Sequence, residues 1–331
     1  MSRFLYQSGL FFLSLLLLYY VMSVLASKVT MEPPENDFMA AMIDKHQRAN
    51  EIEVPQILIA GGSNIAFNIE SGEVQDELGI PVVNLGLNIG LGISYLTNEL
   101  EDVVNEGDII LFFPTWFTAT EGTYPLQKHT AKHYPRSSKY FNYDVTEEIN
   151  IHLENTRTQI RNIIVTLILK GEFRTVPAET PRLEGMYTTE FFNKFGDFEG
   201  HHYLSPPEDL GQRLIYDYRY WESIPELNDF YARMSQKGVY MFFFYPAYPV
   251  TEWERNKVAL EKLITDIEKD LNIPKPIGPK AFLFPENYFF DTVFHLTEEG
   301  KKVRTEKLIE QLKENNTFMD VIQRTKNHNP E

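Results

Sequence analysis

The sequence predicts an α/β fold: a three-layer α/β/α sandwich around a mostly parallel sheet. Three observations carry this. Short, continuously apolar runs alternate with segments of helical spacing. These runs, Ile57–Ala60, Val82–Leu85, Asp108–Phe113 and Val239–Tyr245, each stop at a glycine or proline (Gly61, Gly86, Pro114, Pro246). Unbroken apolar strands are those buried on both faces, and strand–helix alternation is the pattern of a parallel sheet covered by helices on each side. The third observation is supply: 43% of the 331 residues are hydrophobic and 24% charged, enough apolar material for a large core.

From Gly9 to Ala26 the chain is uncharged and almost wholly apolar. Eighteen helical residues at ~1.5 Å each span roughly 27 Å, close to the hydrocarbon thickness of a bilayer. Arg3 precedes the run and Lys28 follows it, a small asymmetry for the positive-inside rule. Two readings fit: a cleaved signal peptide with Val24 and Ala26 at the cleavage site, or an uncleaved anchor, favoured by the length of the run. Both export the remainder, so the expectation is a single-pass protein with an extracytoplasmic body and membrane contact through residues 1–27. Residues 28–54, with Pro33–Pro34 and mixed charge at Asp44–Arg48, read as a stalk.

The body then runs from 55 to 331. Helical spacing follows the first strand and recurs at Leu96–Val104, Leu227–Gln236, Glu252–Leu271 and Thr297–Leu312. Roughly ninety residues, 117–210, break the rhythm, too many for a structureless loop, and read as an insertion with its own structure. It holds Ile160–Leu169, apolar but too short to span, and aromatic and His-rich patches: His129, His133, Tyr134, Tyr140, Phe141 and Tyr143, then Phe191, Phe192, Phe195, Phe198, His201, His202 and Tyr203. Insertions at the carboxyl ends of parallel strands overhang the ligand crevice, so this one reads as a cap; a purely structural aromatic cluster is the alternative.

Composition excludes several classes. Lys plus Arg number 31 against 47 Asp plus Glu, a net charge of −16, which repels phosphate backbones and makes nucleic acid an unexpected partner. No cysteine means no disulfide, thiol catalysis or Cys-based zinc site. His201 and His202 are adjacent and diverge, and no H-E-x-x-H occurs, so no metal is expected. No P-loop or dinucleotide fingerprint is present, so no cofactor is expected either.

Three features remain to carry chemistry. Ser63 follows the first strand in Ile59-Ala60-Gly61-Gly62-Ser63-Asn64. A serine at a strand-to-helix turn exposes its hydroxyl where helix-terminal N–H groups meet a developing oxyanion, although an anion-binding loop or a plain N-cap fits the same residues. Gly86 follows the second strand in Asn84-Leu85-Gly86-Leu87-Asn88, and its N–H is a second candidate oxyanion donor; a tight strand exit explains it as well. Asp291 and His295 lie in the last unit, just before a helix, an acid beside the base that a serine nucleophile needs; capping of that helix is the alternative.

Together these blocks resemble the SGNH hydrolase superfamily, whose folds are flavodoxin-like. The nearer likeness is to its exported, single-anchor acyltransferase members, the teichoic-acid D-alanylation family DltD and the alginate O-acetyltransferase accessory proteins. Pro114-Thr115-Trp116-Phe117 looks like the Pro-x-Trp-Phe of the DltD family. The likeness covers 57–117 and 239–312. It implies Ser63 as nucleophile, His295 as base, Asp291 as its orienter, and Ser63, Gly86 and Thr115 as oxyanion donors. Asn64, Asn88 and Trp116 are then expected beside the substrate. It also implies an acyl donor, a cell-envelope glycan or polymer as acceptor, and a multi-pass membrane-bound O-acyltransferase as partner. Gly62 stands where simple family esterases carry Asp, the third-block Asn has no equivalent, and three residues rather than two separate Asp291 from His295. The expected function is O-acylation of an envelope polymer, with an exported carbohydrate or lipid esterase, or a non-catalytic assembly factor on a degenerate hydrolase fold, as alternatives.

Overall fold

The computed structural model describes residues 2–27, 36–169, 184–211 and 213–327. Helix α1 (Ser2–Ser27) opens the chain, and its stretch Arg3–Val21 is long and apolar enough to cross a membrane. A short 3-10 turn (Phe38–Ala41) leads into α2 (Met42–Glu51), which buries Met42, Lys45, His46 and Ala49. Residues 36–51, assigned to a stalk by their composition, are therefore packed as part of the body. Residues 28–35 lie outside the described residues.

The body alternates strands and helices: β1 (Ile57–Gly61), the single turn α3 (Ser63–Ala66), α4 (Ser71–Leu78), β2 (Val82–Asn84), α5 (Ile93–Val103) and β3 (Ile109–Phe113). After the insertion come α8 (Ser223–Gln236), β4 (Tyr240–Phe243), β5 (Tyr248–Pro249), α9 (Val250–Asp270), β6 (Leu283–Phe284), α10 (Glu298–Glu314) and α11 (Asn316–Asn327). The main sheet is entirely parallel, in the order β2-β1-β3-β4, with Ile57 opposite both Val82 and Ile109, and Ile109 opposite Tyr240. Every residue of β1, β2 and β3 is buried, the reason their sequences are unbroken apolar runs rather than alternations.

Helices cover both faces. Crossovers of the general right-handed sense place α4, on the way from β1 out to β2, on one face and α5, on the way back to β3, on the other. Accordingly α4 packs with α10, and α5 with α8. α5 buries Ile93, Leu96, Leu100 and Val103 at helical spacing, and α8 answers with Leu227, Phe230 and Met234. β5 and β6 form a separate two-stranded parallel ribbon that no period in the sequence announces, each strand being two residues long. Because β1 is flanked by β2 on one side and β3 on the other, the chain reverses direction beside it. The carboxyl end of β1 is thus a topological switch point, where open α/β sheets bind ligands.

The insertion holds α6 (Tyr124–His133) and α7 (Val145–Leu169). Residues 117–142 and 185–211 belong to the body. α1 and residues 143–169 belong to a second compact unit, within which α1 and α7 pack together. The apolar run Ile160–Leu169 is the carboxyl end of α7.

Candidate active site

The end of β1 is built for close approach. A Cβ on Gly61 would lie 2.4 Å from the Phe113 carbonyl oxygen, and one on Gly62 would lie 2.6 Å from the Ile89 nitrogen, so only glycine fits at either position. Ser63 then opens the one-turn helix α3. Asn64 fastens this turn: its Oδ1 accepts from the Gly62 N–H (3.0 Å) and its Nδ2 donates to the Phe113 carbonyl at the end of β3 (3.1 Å).

A second loop, 289–297, brings the other groups. The Phe290 N–H donates to the His295 carbonyl (2.8 Å), and the Thr292 hydroxyl accepts from the N–H groups of Phe294 and His295 (3.2 Å each). Asn68, fully buried and five residues past Ser63, joins the two loops. Its Nδ2 donates to the Phe294 carbonyl (2.8 Å) and its Oδ1 accepts from the Leu296 N–H (2.7 Å). Arg304 of α10, itself buried, donates to the Asn68 carbonyl (3.0 Å).

These supports bring Ser63, His295 and Asp291 together. His295 Nε2 lies 2.8 Å from Ser63 Oγ, and His295 Nδ1 lies 2.8 Å from Asp291 Oδ1. An ionised carboxylate only accepts, so Nδ1 carries the ring proton and Nε2 offers a lone pair to the serine hydroxyl. The His295 ring stacks on Phe67, 3.9 Å between centroids and 7° from parallel, which leaves the imidazole little freedom to turn. Tyr187, from the insertion, donates its hydroxyl to Asp291 Oδ2 (2.5 Å), so both carboxylate oxygens are engaged. Burial alone would raise the Asp291 carboxyl. The hydrogen bonds from His295 and Tyr187 outweigh it and hold that group below the usual carboxylate range.

Tyr187, Phe198 and His201 pack around Phe67, with His201 4.8 Å from its ring. Both His201 ring nitrogens are buried without a hydrogen-bond partner. Burial pushes this imidazole down to about 2, with His202, Lys301 and His295 adding to the effect, so it stays neutral. Tyr187 and Asn68 are not among the candidates from sequence, and His201 enters there only as part of the aromatic and His-rich patch read as a cap. A tyrosine or asparagine in an aromatic-rich chain carries no local signal that it reaches a residue more than a hundred positions away.

Several expected contacts are corrected. The Gly86 N–H is already donated to Asn84 Oδ1 (2.9 Å), so it holds no oxyanion in this arrangement. Thr118 donates its own proton to the Thr115 carbonyl (3.0 Å), so the 3.1 Å contact between the two hydroxyls uses the Thr115 proton and removes that donor too. Asn64 is buried and spent on the turn. Trp116 is buried against Tyr245, Tyr248 and Trp253, not beside substrate. Phe117, which follows it, is the one non-glycine residue at positive φ (52°) among the described residues. Asn88 caps a 3-10 turn (Ile89–Leu91) by accepting from the Gly90 N–H (2.9 Å).

Two backbone amides at these turns are candidates for an oxyanion. Ser63 is the first residue of α3 and Ile89 the first of its 3-10 turn, so neither N–H has an acceptor within its own element. Gly62, against which Ile89 N packs, immediately precedes Ser63. α3 is a single turn and has almost no macrodipole, so any stabilisation would come from the N–H groups themselves. Neither any protein-family model nor any curated protein matches this chain.

Proposed function

We propose that this chain is a membrane-attached serine acyl-transfer enzyme of the cell envelope, an SGNH-type fold acting on an envelope polysaccharide or polymer. The observation that carries the reading is the unbroken relay Ser63–His295–Asp291–Tyr187, with contacts of 2.8, 2.8 and 2.5 Å, at the switch point of a parallel sheet. A capping role for Asp291 and His295 would not aim the imidazole at a serine 232 residues earlier.

In this reading Ser63 Oγ attacks an acyl carbonyl as His295 Nε2 takes its proton. Negative charge develops on the carbonyl oxygen, and the Ser63 and Ile89 N–H groups receive it. Asp291 keeps His295 in the required tautomer and balances the imidazolium. His295 then gives the proton to the leaving group, and the acyl ester remains on Ser63. An acceptor hydroxyl, deprotonated by His295, attacks that ester and regenerates the serine. A sugar hydroxyl gives transfer and water gives hydrolysis, so acceptor access decides between O-acylation and esterase activity. The apolar helix α1 supports membrane attachment. A multi-pass O-acyltransferase as acyl supplier rests on the likeness to the DltD family.

The test is intact mass of the full chain in detergent after exposure to an activated aryl acetate. An acetyl adduct that maps to Ser63, and is lost in Ser63→Ala and His295→Ala, supports the reading. An adduct that persists in both variants removes Ser63 as nucleophile. A silent wild type together with full complementation of a deletion strain by Ser63→Ala favours the assembly-factor alternative.

A further inference from the structure

Away from the relay, Asp37, His129 and His133 converge. His129 and His133 are four residues apart on α6 and so share one face of that helix. Both turn Nε2 toward the same carboxylate: His129 Nε2 lies 3.1 Å from Asp37 Oδ2, and His133 Nε2 lies 3.6 Å from Asp37 Oδ1. All three ligand atoms lie within 4.8 Å of one another. The expectation of a metal-free chain rests on the divergence of His201 and His202 and on the absence of H-E-x-x-H or a comparable spacing, and does not weigh this pair.

We infer that Asp37, His129 and His133 bind a divalent transition metal, and that the donor set suits Zn2+. A tetrahedral ion with bonds of about 2.0–2.1 Å holds its ligand atoms about 3.3 Å apart, so three ligand atoms already within 4.8 Å of one another close on such an ion with a small side-chain adjustment. The alternative, a carboxylate simply bonded to two imidazoles, fails at His133. Its side chain is only 9% exposed, and its Nε2 is buried, faces Asp37 and makes no hydrogen bond. A metal ion between the groups supplies the missing partner. Two imidazoles and one carboxylate leave a fourth position for water or a ligand.

The site has a place in the fold. Asp37 also accepts from the Met39 N–H (2.9 Å) and pairs across an antiparallel bridge with Thr188, whose buried hydroxyl has no partner. Phe38 packs on Tyr187, with ring centroids 5.5 Å apart. A metal holding Asp37 to α6 therefore pins the segment that carries Tyr187, the donor to Asp291. Metal binding stands independently of the proposed acyl chemistry.

The experiment uses the full chain in detergent, stripped with chelator and titrated with Zn2+ by calorimetry, then with Co2+ by visible absorption. One equivalent of Zn2+ should bind, raise the melting midpoint, and compete with Co2+ for a site showing d–d bands of four or five coordination. His129→Ala and His133→Ala should each weaken binding by more than about 100-fold, since even outer partners of metal ligands are worth 10–100-fold. His133→Gln and Asp37→Asn, which keep size and polarity, should lose the Co2+ bands while melting like the stripped wild type. Absence of saturable binding to the wild type overturns the inference, as does binding unchanged in the histidine variants.

Discussion

Asp291 and His295 meet at 2.8 Å, Oδ1 to Nδ1, across three intervening residues. The turn between them makes this possible. The Thr292 hydroxyl collects two consecutive-turn amides, and the Phe290 N–H closes the loop on the His295 carbonyl, so the chain folds back instead of running straight. An acid one residue further from its histidine than the SGNH pattern has it thus reaches the same nitrogen.

Asp291→Asn should lower aryl-ester turnover by about 10²–10⁴-fold, because an amide at this place can donate to Nδ1 and favours the wrong tautomer. Tyr187→Phe should cost less, about tenfold, the worth of one hydrogen bond to a charged group. Steady-state kinetics with pH profiles separate the two. Loss of the Tyr187 bond removes one of the hydrogen bonds that hold the Asp291 carboxyl down, so its own protonation, followed by NMR titration of that carboxyl, should move to higher pH.

Ile89→Pro tests the amide proposed to hold the oxyanion. Proline lacks an N–H, is tolerated at the first position of a helical turn, and needs an extended residue before it. Asn88, at φ −147° and ψ 124°, is extended. The variant should keep the wild-type melting midpoint within a few degrees and lose about 10²–10³-fold in kcat, the range for one oxyanion donor. Wild-type turnover would exclude the Ile89 amide.

Asn68→Ala removes the tie between the two loops and leaves the Phe294 carbonyl and the Leu296 N–H buried and unpaired. At ~1–3 kcal/mol for each of the two orphaned groups, a loss of roughly 2–6 kcal/mol is expected by denaturant unfolding. Turnover of the molecules that remain folded should fall as well, since the separation of His295 from Ser63 is no longer fixed.

Lys45 provides a pH signature. It is buried, donating to the carbonyls of Asn84 (2.8 Å) and Gly196 (2.5 Å), and burial lowers it from 10.5 to about 7 against the pull of Asp197 and Glu99. Between these values the unfolded chain binds a proton that the folded one lacks. Stability therefore rises with pH from about 7 toward 10, with a slope of at most about 1.4 kcal/mol per unit, and this contribution is lost as pH falls through 7. Urea unfolding across that window should show the rise in the wild type, and Lys45→Met should flatten it.

The order of elements, the buried character of the strands and the position of Ser63 at a strand exit were all legible along the chain, because each rests on neighbours within a few residues. Periodicity reports burial, and Gly61-Gly62 reports a tight turn. So too the apolar length of α1 is a property of local composition. Tertiary structure alone decided which polar groups were free. Gly86 and Thr115 looked available as donors until Asn84 and Thr118 were seen to occupy them, and Trp116 looked like a substrate surface until it was seen in the core. The same holds for Asn68, Tyr187 and the meeting of Asp37 with His129 and His133. Hydrogen-bond capacity is used up by partners brought from distant parts of the chain, so a residue's type states what it can bond and only the fold states what it has left.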